Sequence, residues 1–108
     1  MDQQIVRSSK HLPFYDVAGP AHAYPIVLVH GAAWTRNMWV QQTEALSDEF
    51  RVIAVDLPGH GMLREQPFQL ATACQSVMES LKQETSDRAL IVGLSLGGYV
   101  AMACAHEV

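Results

Sequence analysis

The stretch of sequence that decides the fold is ALIVGLSLGGYVAMACA, residues 89–105. Its first four residues, Ala89–Val92, are apolar and are followed by glycine, and a short apolar run that ends at a turn-forming residue predicts a buried strand. The last part, from Tyr99 to Ala105, is mostly apolar and predicts a helix. Between them lies Gly93-Leu94-Ser95-Leu96-Gly97, in which a serine has a glycine two residues before it and two residues after it. The segment therefore predicts a strand, a sharp turn and a helix in direct succession.

A serine on a sharp turn between a strand and a helix forms the motif known as a nucleophile elbow. In so tight a turn, side chains at positions 93 and 97 would collide with neighbouring backbone, and glycine avoids both collisions. The following helix points its first N–H groups and the positive end of its dipole at the serine, where they would stabilise an oxyanion. Ser95 is therefore a candidate nucleophile, and the Leu96 N–H is a candidate oxyanion donor. The alternative interpretation is that Ser95 only caps the helix.

The rest of the chain repeats the alternation of strand and helix. Ile26–Val29 and Val52–Val55 predict two more buried strands, and apolar residues at helical spacing predict helices over residues 37–47 and 68–84. Residues 3–7 and 11–17, joined around Ser8–Lys10, predict an antiparallel hairpin near the N-terminus. Such alternation builds right-handed crossovers, so residues 1–108 are expected to form one α/β domain or part of one. Its sheet should be mostly parallel, with helices on both faces.

Composition argues against several classes of protein. Of the 108 residues 49% are apolar, which is enough for a core, and the net charge of −4 with scattered cations argues against nucleic-acid binding. No apolar run approaches the roughly 18 residues of a membrane span, and the N-terminus lacks the apolar core of a secretion signal. Cys74 and Cys104 lie in predicted helices and indicate buried thiols of a reduced, cytoplasmic protein. The five histidines have no metal-ligand spacing, so no metal site is expected.

Three blocks of sequence, each directly after a predicted strand, resemble the α/β-hydrolase family. Val29-His30-Gly31-Ala32 is similar to the oxyanion loop of that family, DLPGHG (residues 56–61) is similar to the loop after its next strand, and the third block is the elbow. The resemblance runs from about Pro25 to His106 and implies the N-terminal part of that fold. It implies that the Ala32 N–H is the second oxyanion donor. Four residues would support the loop and the elbow: His30, Gly31, Gly93 and Gly97.

The resemblance also implies an activity. It implies hydrolysis of a carboxylic ester, thioester or lactone in a small-molecule acyl substrate, through an acyl intermediate on Ser95 and without a cofactor. Acyltransferases and cofactor-free lyases share these motifs, and a truncated product without catalytic activity is a further alternative. A dinucleotide-binding loop is disfavoured, because Ser95 replaces the glycine that lets backbone approach a pyrophosphate.

Two partners of the nucleophile have no candidate in the sequence. In this fold an acid and then a histidine follow the serine along the chain, but only thirteen residues follow Ser95. His106 lies on the same predicted helix, about 16 Å further along, and is too distant to act as the base. We therefore expect the acid and the base to lie outside this chain, as in a domain truncated shortly after the elbow. The strand at 89–92 should then form an exposed apolar edge, and the chain alone should be poorly soluble and inactive.

Other polar and aromatic residues have structural interpretations. His60 and Asp56 are expected to organise the loop in which they lie, and the His30 ring is expected to hold the oxyanion loop by a hydrogen bond to backbone. Trp34 and Trp39 are expected to pack in the core. The alternative for Trp34 is that it forms a wall of an acyl pocket.

Overall fold

A five-stranded sheet forms the centre of the protein. The structure is a computed structural model of the chain, and it describes residues 9–11, 14–84 and 88–107. The strands are β1 (Ser9–His11), β2 (Tyr15–Ala18), β3 (Pro25–Val29), β4 (Arg51–Val55) and β5 (Leu90–Gly93), in the spatial order β1-β2-β4-β3-β5. β3 pairs in parallel with both β4 and β5, whereas β2 pairs antiparallel with β1 and β4. The carboxyl ends of the three parallel strands therefore lie at the same end of the sheet.

Helices cover both faces of the sheet, as the sequence predicts. The even-numbered residues of β3 and β4 pack against Trp39, Leu46 and Phe50, which belong to the 3-10 helix η1 (Arg36–Trp39), to α1 (Val40–Leu46) and to the segment after it. The odd-numbered apolar residues of the same strands pack against α2 (Leu70–Gln83) and α3 (Leu96–Glu107). Successive side chains of a strand point to opposite faces, so one apolar run contributes to two cores. A continuous apolar run, rather than an alternating one, marks each of these strands for that reason.

The main difference from the predicted elements is at the N-terminus. The predicted strand at residues 3–7 lies outside the described residues. The observed hairpin pairs Ser9–His11 with Tyr15–Ala18, so β1 occupies part of the segment predicted as the connection. A short polar edge strand carries almost no apolar periodicity, which is why the sequence misplaced it. The last helix begins at Leu96 instead of Tyr99, because the turn at Ser95 leads into it directly.

The opposite edge of the sheet is formed by β5, and it is apolar and exposed as predicted. Leu90 is 55% exposed and Val92 is 37% exposed, and Tyr99 and Met102 of α3 are exposed as well. Cys74 and Cys104 are buried free thiols, in agreement with the sequence. No helix in the described ranges has both the length and the apolar character that crossing a membrane requires.

Candidate active site

Ser95 lies on the turn between β5 and α3, where the parallel strands end. Its φ of 56° is in the left-handed region, which costs a residue with a side chain about 1–3 kcal/mol. Two hydrogen bonds hold the turn: the Gly97 N–H donates to the Leu94 carbonyl (2.9 Å) and the Gly98 N–H donates to the Ser95 carbonyl (2.8 Å). Ser95 is exposed, and its hydroxyl has no hydrogen-bond partner among the described residues. The turn thus presents an accessible hydroxyl on strained backbone.

Gly93 and Gly97 allow the close packing of this turn. A Cβ at Gly97 would lie 2.1 Å from the Val29 carbonyl oxygen and 2.7 Å from that of His30. A Cβ at Gly93 would lie 2.1 Å from the Gly97 carbonyl oxygen. At Gly98, by contrast, a Cβ would approach only the Gly93 carbonyl oxygen, at the ordinary distance of 3.7 Å. Close approach of backbone, rather than an unusual φ, therefore requires glycine at 93 and 97.

The loop after β3, residues 30–35, lies against the elbow. A Cβ at Gly31 would be 3.6 Å from the Ser95 Cβ and 3.2 Å from the Leu94 carbonyl oxygen. The Leu94 N–H donates to the Val29 carbonyl at 3.1 Å, which extends the contact between the two segments. The resemblance to a hydrolase predicted that this loop and the serine would be neighbours, and the two are adjacent in the fold.

The two predicted oxyanion donors have no competing acceptor in the described part of the chain. Neither the Ala32 N–H nor the Leu96 N–H makes a hydrogen bond there. Ala32 is exposed, and Leu96 is the first residue of α3, where helix N–H groups lack intrahelical acceptors. Ala33, next along the loop, has a φ of 67°, so this segment is strained as well. Both N–H groups are therefore available to a ligand.

His30 is fully buried and both of its ring nitrogens contact backbone. Its Nε2 accepts the Leu57 N–H at 3.1 Å, so the ring proton lies on Nδ1, which donates to the Gly31 carbonyl at 2.8 Å. Burial lowers the pKa of the His30 imidazole, and the neighbouring His60 lowers it too, although the Gly31 carbonyl and Asp56 oppose the shift. A neutral ring with both nitrogens occupied holds the loop and is not available as a base.

The loop after β4, residues 56–60, contains two further polar side chains. The His60 ring lies 5.0 Å from the His30 ring, centroid to centroid, and its Nδ1 is 3.1 Å from the Pro58 carbonyl oxygen. Asp56 is buried, and its carboxylate accepts the Arg36 N–H at 2.8 Å and the Met62 N–H at 3.1 Å. These contacts organise the loops, in line with the structural interpretation of both residues.

Sequence reasoning placed Trp34 wrongly and missed Arg36. Trp34 is 58% exposed rather than packed in the core, and it follows Ala33, whose backbone is left-handed. Its Cδ1 would be 3.7 Å from a Cβ at Gly31, close to the Ser95 Cβ, so Trp34 belongs to the candidate site. Nothing in the sequence around Arg36 indicated that its backbone would bind a carboxylate twenty residues away.

A groove of about 1350 Å³ lies apart from the elbow, between α2 and α3. It is lined mainly by apolar side chains such as Leu70, Met78 and Met102, and Ser95 does not line it. Among the described residues no three histidine, cysteine or acidic side chains are grouped as a metal site would require.

Comparisons with known proteins agree with this geometry. A family model for the alpha/beta hydrolase family matches residues 26–108. The chain is 40% identical over 96 residues to the pimeloyl-[acyl-carrier protein] methyl ester esterase of Vibrio cholerae, a match that covers 87% of this chain and 36% of the esterase. It is 39% identical over 80 residues to the dihydrolipoyllysine-residue acetyltransferase component of the acetoin cleaving system of Pseudomonas putida, covering 72% of this chain and 22% of that protein. The chain thus spans about a third of the length of the esterase, and less of the acetyltransferase.

Solved structures give the same result. A hydrolase from Pseudomonas aeruginosa superimposes with a TM-score of 0.73 at 32% identity, over 91% of this chain and 40% of that one. The Cif epoxide hydrolase from Acinetobacter nosocomialis has a TM-score of 0.76 at 22% identity, over 94% of this chain and 34% of its own. The second match concerns the fold alone.

Proposed function

This chain belongs to the alpha/beta hydrolase family, and on that premise we propose that it is the N-terminal part of an esterase in which Ser95 is the nucleophile. The observation that carries the proposal is the meeting of two strained loops: Ser95 projects from the elbow beside Gly31, with the N–H groups of Ala32 and Leu96 nearby in the chain and without acceptors. Strained backbone of this kind clusters at active sites. A helix start behind the serine adds a favourable dipole for an oxyanion.

In the proposed reaction the Ser95 Oγ attacks the ester carbonyl carbon and passes its proton to a histidine base. The former carbonyl oxygen becomes negative and accepts hydrogen bonds from the Ala32 and Leu96 N–H groups, each of which is expected to contribute about 10²–10³-fold to the rate. The bond to the alcohol oxygen then breaks, and the base returns the proton to the leaving alcohol. Water, deprotonated by the same base, then attacks the carbonyl carbon of the acyl-serine. The bond from that carbon to the Ser95 Oγ breaks, the base returns the proton to Oγ, and the carboxylic acid is released.

We infer that the base and its orienting acid come from outside residues 1–108. His30 is excluded as the base because its two nitrogens already contact backbone. His106 lies eleven residues beyond Ser95 on α3, about 16 Å along the helix. The Vibrio cholerae esterase extends well beyond the matched region, since the match covers 36% of it.

The surroundings of Ser95 favour an apolar acyl group. Trp34 and Leu94 are both about half exposed beside the serine, and small-molecule sites typically combine apolar walls with a few polar groups. The relative from Vibrio cholerae is named for a methyl ester of a pimeloyl group carried on a protein. We therefore propose an acyl ester as the substrate class; a thioester or a lactone would use the same site.

Acyl transfer is a second candidate function, and the similarity to an acetyltransferase component favours it specifically. The acyl-Ser95 intermediate would be the same, and an acceptor other than water would attack it. Product analysis with added alcohol, thiol and amine acceptors separates the two reactions, because a transferase forms the acylated acceptor at the expense of free acid.

Hydrolysis of p-nitrophenyl esters of increasing acyl length by the full-length protein tests the proposal. We expect Ser95→Ala to lower kcat by at least roughly 10³-fold, because alanine lacks the hydroxyl that forms the acyl intermediate. Ser76→Ala is the matched control, since Ser76 lies on α2 and, within the described residues, its hydroxyl donates only to the Thr72 carbonyl. Activity that survives in Ser95→Ala would overturn the proposal.

A further inference from the structure

Asp56 is a buried carboxylate that the proposed reaction does not use. It is the first residue after β4 and is 1% exposed. Besides the N–H groups of Arg36 and Met62, its Oδ2 faces the Arg36 Nε at 3.6 Å. A Cβ at Gly61 would overlap the carboxylate, so backbone packs directly against it. The carboxylate joins the start of η1 to the 3-10 helix η2 (Gly61–Leu63).

Asp56 and His30 connect the same two loops in opposite directions. The His30 side chain, from the loop after β3, accepts the Leu57 N–H from the loop after β4. The Asp56 side chain, from the loop after β4, accepts the Arg36 N–H at the end of the loop after β3. The loop of residues 30–35, which contains Ala32, is therefore held at His30, its first residue, and at Arg36, the residue after its last.

This segment needs such restraint. The left-handed backbone at Ala33 persists only when surrounding contacts hold it. Without Asp56, the Arg36 N–H would lose its acceptor, and the backbone of segment 31–35 would lose the hydrogen bond at its C-terminal end, although the Arg36 side chain would still pair with Asp16. The direction of the Ala32 N–H would change as this backbone relaxes.

We propose that Asp56 is a positioning residue for the oxyanion hole. It accepts the Arg36 N–H and so fixes the direction of the Ala32 N–H, and it does not touch the substrate. The inference rests on the proposed function, because the Ala32 N–H has a role only if an oxyanion forms at Ser95. Its consequence is specific: loss of the contact weakens transition-state binding more than substrate binding. A displacement of about 1 Å in such a site can cost roughly 100-fold in rate.

Asp56→Asn in the full-length protein is the first test. Asparagine keeps the size and one acceptor oxygen, but its NH₂ group would face a backbone N–H. We expect kcat for a p-nitrophenyl ester to fall roughly 10–100-fold, with KM changed by less than about threefold. The affinity for a trifluoromethyl ketone, which forms an oxyanion adduct with serine, should fall by the same factor. Asp16→Asn is the matched control: Asp16 also pairs with the Arg36 Nε, at 3.5 Å, and should change each quantity by less than about threefold.

A second pair of variants tests the contact if Asp56→Asn does not fold. Arg36→Pro removes the N–H that Asp56 accepts, whereas Arg36→Ala removes the side chain and keeps the N–H. Proline fits the first position of a helical turn, and Thr35 before it has the extended backbone (φ −135°, ψ 177°) that proline requires. We expect kcat of Arg36→Pro to be at least roughly tenfold below that of Arg36→Ala, at similar KM.

The outcomes separate this inference from the proposed function. Equal kcat in Arg36→Pro and Arg36→Ala, or an unchanged ketone affinity in folded Asp56→Asn, overturns the role of Asp56 and leaves Ser95 as the nucleophile. Activity that persists in Ser95→Ala removes the nucleophile and the positioning role together. A parallel loss of kcat and ketone affinity, with an inactive Ser95→Ala, supports both.

Discussion

Replacing Gly97 by alanine should separate the elbow from the end of β3. The added Cβ would lie 2.1 Å from the Val29 carbonyl oxygen, so α3 and β3 must move apart by roughly 1 Å to restore an ordinary contact. The three atoms nearest to the new methyl group belong to the backbone of Val29 and His30, which cannot rotate away as a side chain can. We expect the free energy of unfolding to fall by about 3 kcal/mol, the upper part of the usual cost of overpacking. The same shift moves Ser95 away from Gly31, so activity should fall roughly 100-fold.

Gly98→Ala is the matched control for this prediction. Its Cβ would meet only the Gly93 carbonyl oxygen at 3.7 Å, and alanine is favoured over glycine in a helix by up to about 1 kcal/mol. Guanidinium unfolding of both variants of the full-length protein, followed by circular dichroism, gives the two free energies, and ester hydrolysis gives the two rates. Equal stability of Gly97→Ala and Gly98→Ala would refute the reasoning from close approach.

Two further predictions concern strain and protonation. Ser95→Gly should have a free energy of unfolding about 1 kcal/mol higher than Ser95→Ala, because glycine adopts a φ of 56° without strain. Both variants should lose ester hydrolysis. Equal unfolding midpoints of the two variants would contradict the claim that residue 95 is strained. The lowered pKa of His30 means that the unfolded chain binds its proton more readily, so stability is complete above about pH 6.5 and declines as the pH falls below that value. Denaturant titrations should therefore show that lowering the pH from 7.5 to 5.5 reduces the free energy of unfolding more in the wild type than in His30→Gln. Equal reductions in the two proteins would show that His30 does not titrate in this way.

The parts of the fold that the sequence predicted correctly depend on local pattern. β3 and β4 are continuous apolar runs because both of their faces are buried, and the pattern is visible within five residues. The elbow is predictable for a similar reason. Glycine is required at 93 because the backbone of Gly97 lies too close for a side chain, and at 97 because the end of the neighbouring strand β3 does. The resemblance to the α/β-hydrolase family predicted that the loop after β3 would lie beside Ser95, and the parallel pairing of β3 with β5 brings the two together.

The parts that the sequence did not predict depend on contacts between distant segments. Trp34 is exposed and follows Ala33, which adopts a positive φ that an alanine in a sequence does not indicate. The donor of the hydrogen bond from Arg36 to Asp56 is a backbone N–H, and every residue except proline has one. The residue type at position 36 therefore does not predict this bond. The register of β1 is likewise set by its pairing with β2 rather than by its own residues.

The most direct test of Ser95 as the nucleophile is a covalent one. The full-length protein is treated with a fluorophosphonate, which reacts with activated serine hydroxyls, and the modified residue is located by mass spectrometry of peptides. We expect a single phosphonyl group on Ser95, absent from Ser95→Ala and from protein unfolded before treatment. An unmodified Ser95 in protein that hydrolyses esters, or a modification at another residue that accounts for the loss of activity, would contradict the proposed mechanism.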